Sequence, residues 1–250
     1  PQPRAAITAL YAFCREVDDV VDECAEPDLA AVKLAWWSEE VDRLFQSQPQ
    51  HPVSKALLPR ITLHQLPKTH FLEIIDGCRM DLVQNRYARW EDLDLYCDRV
   101  AGAVGLLSAR IFGEVTAATL DYALLLGRAL QYTNIIRDVG DDARRGRIYI
   151  PVQALQQFNV DAADILRFEH SPDFEAMMAD MAARAHRLYD QALESLPRDQ
   201  RTAQRPGLIM AAIYRELLRL VESESFRVLH QRISVAPARK LRLAWKASDR

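Results

Sequence analysis

Residues 131–151 read QYTNIIRDVGDDARRGRIYIP, and this stretch decides what kind of chain it is. Ala129, Leu130, Ile135 and Ile136 are apolar at helical intervals with no breaker among them, so the stretch begins as a helix. Gln131, Asn134, Asp138 and Asp142 also fall at helical intervals, which lines an amide pair and two carboxylates along the other face. Arg137, Arg144, Arg145 and Arg147 follow closely. As an i,i+4 pair of like charge, Asp138 and Asp142 repel by roughly 0.2–0.5 kcal/mol. A hard cation bound through oxygen is the natural group to offset that.

Outside this stretch the chain reads as helix from end to end. It has 250 residues and is 49% hydrophobic and 27% charged, the make-up of one ordinary globular domain with a sizeable core. Glycine is scarce, with 8 in all, and no strand-like alternation persists. The formal charge of −3 gives no reason to expect a nucleic-acid partner. Cys14, Cys24, Cys78 and Cys97 lack CxxC spacing and read as buried thiols of a reducing compartment. No apolar run approaches a membrane span and no signal peptide is visible, so a cytoplasmic location is expected.

In chain order, the periodicity predicts a first helix over 4–24, broken by Pro27, and a second capped by Asp28 and running to Phe45. A short helix over 53–65 follows, then one started by Pro67. A single fifth helix is predicted over 91–112, and it carries AGAVG at 101–105. Two interior glycines signal either close helix packing or a wall thinned for a bulky ligand. The opening helix spans about 117–142, and Pro151 starts a short one. Ser171 caps a helix to about Leu196, and the last long helix covers about 206–230. The tail, 236–250, sets Leu241, Leu243 and Trp245 among five Lys/Arg. It reads as a peripheral contact with an anionic inner-membrane surface, or as a frayed solvated end.

A second acidic motif, YAFCREVDDVVDE at 11–23, gives the opening stretch a partner. Tyr11, Arg15, Asp18 and Asp22 fall at i, i+4, i+7 and i+11, with Asp19 at the edge of that face. A lone DxxxD on a helix reads as a solvated face. Two such pairs, each in an apolar helix with an arginine just upstream, read differently. Burying part of four carboxylates without partners costs several kcal/mol. If the two helices face each other, the carboxylates hold divalent cations and the arginines take phosphate oxygens. Since Mg²⁺ usually shares its coordination with substrate phosphates, the residues point to a Mg²⁺–diphosphate site. HExxH, G-x-S-x-G, Rossmann and Glu-x-x-His signatures are all missing from the sequence, so zinc, α/β-hydrolase, dinucleotide and di-iron readings fit less well.

With YCDRVAGAVG at 96–105 and AAIYRELL at 211–218, these motifs make the sequence resemble the squalene/phytoene synthase family, whose all-α enzymes join two prenyl diphosphates head to head. The resemblance covers nearly the whole chain and implies one isoprenoid-synthase-type helical bundle around a central cavity. It implies Mg²⁺ held by Asp18 and Asp22 on one side and by Asn134, Asp138 and Asp142 on the other. Tyr11, Arg15, Gln131, Arg137 and Tyr214 fall on positions that contact diphosphate or the reacting chain, Arg147 and Tyr149 on an R-x-Y-x-P continuation, and Tyr96 on the cavity lining. AGAVG then reads as cavity wall. Ordinary core tyrosines are the alternative for Tyr96 and Tyr214.

Within the family, CREVDDVVDE, the MDL after Gly77 and YCDRVAGAVGLLSARIFG look most like bacterial presqualene diphosphate synthases of hopanoid pathways. The implied reaction joins two farnesyl diphosphates. NADPH is required only if the reaction continues to squalene. Phytoene synthesis from geranylgeranyl diphosphate is the nearest alternative, and a non-catalytic helical scaffold is one of another class. The family has a further helix before its first motif, whereas this sequence begins ten residues before Tyr11, so that helix is expected to be missing here. The residues imply no oligomeric state.

Overall fold

The computed structural model describes residues 2–24, 26–84 and 86–248. Its order is α1 (Gln2–Glu23), α2 (Pro27–Phe45), α3 (Pro52–Leu63), α4 (Lys68–Val83), α5 (Trp90–Cys97), a π-helical turn (Asp98–Gly102) and α6 (Ala103–Phe112). It continues with α7 (Ala117–Arg144), α8 (Val152–Gln157), α9 (Ala162–Leu166), α10 (Pro172–Ser195), α11 (Arg205–Ser223) and α12 (Pro237–Ser248). No strand occurs among the described residues.

The helix α7 is the spine. Its buried stripe runs from Tyr122 through Leu126, Ala129, Tyr132 and Ile136 to Val139, and it packs on α6, α10 and α11. One apolar cluster joins α5 and α7–α11. A second gathers α1–α4 around Phe13, Leu34, Phe71 and Ile75, with Ala103, Leu107 and Ile111 of α6 reaching into it. Phe13 sits edge-on to Trp37 and Phe71, with centroids 5.5 and 5.2 Å away. The aspartate helix α1 is thereby fixed to one half of the molecule and α7 to the other, and α6 spans both.

Local chemistry sets the boundaries, and several differ from the periodicity. Pro27 opens α2 and Asp28 lies in its first turn, while Glu26 holds the cap position without a side-chain bond. Ser171 caps α10 as expected, accepting from Phe174 N at 3.1 Å. The single helix expected over 91–112 is interrupted by the π turn. There Asp98 Oδ1 accepts from Arg128 Nε at 2.8 Å, which ties the widened turn to α7. The helix expected to reach 230 stops at Ser223, because Ser225 and Phe226 turn left-handed with φ of 49° and 53°.

The basic tail is neither frayed nor detached over its described length. It forms α12 and packs on α11, with Arg239 ion-paired to the buried Glu216. Residues 249–250 lie outside the described set.

Candidate active site

The C-terminal end of α7 is where the two acidic motifs meet. Gly146 takes φ 73°, and the helix closes with Gly146 N donating to Ala143 O at 3.0 Å and Arg147 N to Asp142 O at 2.9 Å. These paired bonds are a Schellman closure, with glycine at the left-handed position. The reversal throws Arg145 and Arg147 back toward α1, where their Nη1 atoms lie 3.2 and 3.5 Å from Asp22 Oδ1. Two motifs more than a hundred residues apart thus share a set of ion pairs. Earlier on α1, Arg15 Nη2 sits 2.8 Å from Asp19 and its Nη1 3.9 Å from Asp18. On α7, Asp138 accepts from Arg137 Nε at 2.7 Å and from Arg232 Nε at 3.1 Å.

Electrostatics at this face suit a cation. Burial, then the charge of Asp138, pushes the Asp142 carboxyl up to about 7. Asp18 is raised by burial and by Asp22. Asn134 Oδ1 is buried without a hydrogen-bond partner, on the same side of α7 as Asp138. These are hard oxygen donors short of positive charge, so the residues fit a divalent cation such as Mg²⁺. Among the described residues no three acidic, His or Cys side chains converge closely enough to hold an ion, and arginines pair with Asp138 and Asp22 instead.

Behind the carboxylates lies a cavity of about 460 Å³ between α6, α7 and α11. Tyr11, Gln131, Asn134 and Tyr214 stand at its polar end, and Val104, Leu126 and Leu130 line its length. Phe112, Tyr122 and Gln204 lie at the far end. Tyr11 is 69% exposed and so marks the mouth. AGAVG proves to be packing as well as wall. A methyl group on Gly102 would lie 2.7 Å from Leu124 Cδ1, and one on Gly105 only 2.4 Å from the backbone oxygen of Ala123. Gly105 also borders the cavity, so the close approach of α6 and α7 and the thin wall are one feature.

Tyr96 is elsewhere. The resemblance put it on the cavity lining, but its ring is 4% exposed and stacks on Tyr149 at 5.1 Å, away from those walls. Both hydroxyls donate to Asp81, Tyr96 to Oδ2 at 2.9 Å and Tyr149 to Oδ1 at 2.8 Å. Burial raises the Asp81 carboxyl to about 6, and the two hydroxyls pull against that rise.

Asp81, Arg232 and Lys240 belong to this region without having been singled out. Arg232 and Lys240 share with Arg137 and Tyr214 a basic cleft of about 310 Å³ adjoining the cavity. Asp81 had a visible signal in the MDL at 80–82, but no helical spacing connects Arg232 or Lys240 to either motif.

Known proteins share the sequence and the fold. The Squalene/phytoene synthase family model matches residues 1–239. A 15-cis-phytoene synthase of Synechococcus elongatus is 37% identical, over 95% of this chain and 81% of its own. A presqualene diphosphate synthase of Sinorhizobium fredii is 35% identical, over 94% and 84%. Among solved structures, a dehydrosqualene synthase with bound ligand superposes with TM-score 0.87 at 29% identity, over 100% of this chain and 87% of that one. A squalene synthase of Alicyclobacillus acidocaldarius gives 0.82 at 31%, over 90% and 84%. With a family match over almost the whole length of this helical bundle, the chain belongs to the squalene/phytoene synthase family and is a prenyltransferase of the head-to-head type.

Proposed function

We propose that the protein condenses two farnesyl diphosphates into presqualene diphosphate in the presence of Mg²⁺. One juxtaposition carries the reading: an oxygen-rich mouth, with Asp18 and Asp22 across the arginines from Asn134, Asp138 and Asp142, opens on an apolar cavity of limited depth. From Gln131 to Tyr122 the lining descends nine residues of α7, about 13–14 Å of helical rise. At ordinary carbon–carbon bond lengths that matches about three isoprene units rather than four.

Mg²⁺ held by Asp18, Asp22, Asn134, Asp138 and Asp142 would stabilise the negative charge developing on the departing diphosphate. The arginines orient that group. Arg15, Arg137, Arg145 and Arg147 are paired with carboxylates here, and they turn to phosphate oxygens once the carboxylates have another positive partner. Tyr214 lines both the cavity and the basic cleft of Arg137, Arg232 and Lys240, which supports that cleft as the seat of the second diphosphate.

In the reaction, the allylic carbon–oxygen bond of one substrate breaks and its electron pair leaves on the diphosphate. The 2,3 double bond of the other substrate supplies the pair for the new carbon–carbon bond. Loss of a proton closes the cyclopropane, so one diphosphate and one proton are released. Val104, Leu126 and Leu130 keep water from the allylic cation.

The 37% identity to a phytoene synthase favours a second reading, with two geranylgeranyl diphosphates as substrates. Incubation with each labelled diphosphate in Mg²⁺, with and without NADPH, separates the readings by product. The C15 reading predicts presqualene diphosphate from farnesyl diphosphate. Turnover of the C20 substrate alone contradicts the chain length, and squalene appearing only with NADPH extends the reaction by a reduction. No turnover of either substrate leaves the scaffold alternative.

A further inference from the structure

We infer that α12 is an interfacial helix that seats the protein on an anionic lipid surface. Leu243, Ala244 and Ala247 are half-buried and face the body, and Leu243 packs against the main apolar cluster. On the opposite side, Leu241 and Trp245 are one turn apart and 74% and 72% exposed. Arg239, Lys240, Arg242 and Lys246 lie on α12, and the helix has no acidic residue.

These cations divide by direction. Arg239 is used internally by Glu216, and Lys240 lines the basic cleft beside Tyr214. Arg242 and Lys246 are exposed and run along one side of the Leu241–Trp245 pair. The whole chain carries a net −3, so the concentration of positive charge on this helix runs against the average of the molecule.

An exposed apolar pair edged by basic side chains complements anionic headgroups over acyl chains, and tryptophan favours that boundary. A protein partner would have to match the same cations with its own acids, and nothing on this face selects for that. The helix is already folded and braced, so docking needs no ordering step. Its cleft-facing Lys240 sets the lipid surface beside the proposed site, a convenience for substrates with long hydrocarbon chains. The inference itself stands on α12 and holds or fails separately from the reaction.

The test is co-sedimentation of the full chain with vesicles of phosphatidylcholine alone and of phosphatidylcholine with about one-third phosphatidylglycerol, at low and high salt. Binding is expected to be at least about tenfold stronger on the anionic vesicles, to weaken with salt, and to fall about tenfold or more in both Leu241→Ser/Trp245→Ser and Arg242→Glu/Lys246→Glu. Unchanged far-ultraviolet circular dichroism and diphosphate turnover in detergent show that the variants are folded. Equal binding to both vesicle types overturns the inference, as does unaltered binding by the variants. So does a wild-type dimer that Leu241→Ser/Trp245→Ser converts to monomer, since the patch is then a protein interface.

Discussion

Asp81 shows how a single buried carboxylate can set the pH behaviour of this fold. Its value of about 6 lies above the ordinary 3.8, because burial penalises the charge more than Tyr149 and Tyr96 compensate for it. A carboxyl raised on folding stabilises the native state most fully below 3.8, and that contribution is lost as pH rises through about 6. At about 1.4 kcal/mol per unit, the change is on the order of 3 kcal/mol. Asp81→Asn should therefore flatten the decline in stability between pH 4 and 6, as read from urea midpoints. An unchanged slope would place its source in another group.

At the mouth, Asn134 Oδ1 is buried and unpartnered, which costs stability unless a ligand uses it. Asn134→Ala should lower Mg²⁺-dependent turnover by about 100-fold or more while leaving the melting temperature the same or higher, a direction a purely structural asparagine would not give. Paired turnover and thermal-melt measurements check both halves.

Among the elements that frame the cavity, α6 and α7 meet at Gly105 with no room for a methyl group. A side chain at Gly105 meets backbone, which cannot rotate away. Gly105→Ala should destabilise by about 1–3 kcal/mol in denaturant unfolding, and Gly105→Val by more. The far end of the cavity behaves differently. Tyr122 is 1% exposed and its hydroxyl has no partner, so removing the ring opens space without stranding a bonded group. Tyr122→Ala, alone or with Phe112→Ala, should raise the use of C20 relative to C15 diphosphate at least tenfold, as shown by competition between the two substrates. Retained C15 preference would move the chain-length boundary elsewhere.

Legibility also divides at this scale. Amphipathic stripes placed α1, α4, α7 and α10 within a few residues, because burial of one face decides both period and structure. The π turn at Asp98–Gly102 and the stop at Ser223 escaped, since they depend on the Asp98–Arg128 tie and on two left-handed residues that no periodicity announces.

For the whole molecule, what the sequence could not supply was the route between distant parts. Asp18, Asp22, Asp138 and Asp142 were legible because each pair lies within one helix. Their meeting depends on the Gly146 reversal that brings Arg145 and Arg147 to Asp22. Arg232 reaches Asp138 across 94 residues, and Tyr96 turns toward Asp81 instead of the cavity. Such contacts come from packing rather than pattern.

On the proposed function, cation and diphosphate should depend on each other, because the arginines leave the carboxylates once another positive charge replaces them. Thermal melts should rise by several degrees with Mg²⁺ and inorganic diphosphate together, and by much less with either alone.

The central claim is that the two aspartate faces act as one Mg²⁺-dependent diphosphate site. It is tested most directly by the rate of diphosphate release from farnesyl diphosphate in wild type, Asp18→Ala and Asp138→Ala, with Mg²⁺ and with chelator. The account predicts release in wild type that chelator abolishes, and a loss of at least about 1,000-fold in each variant despite an intact fold. Full Mg²⁺-dependent turnover in either variant would contradict it.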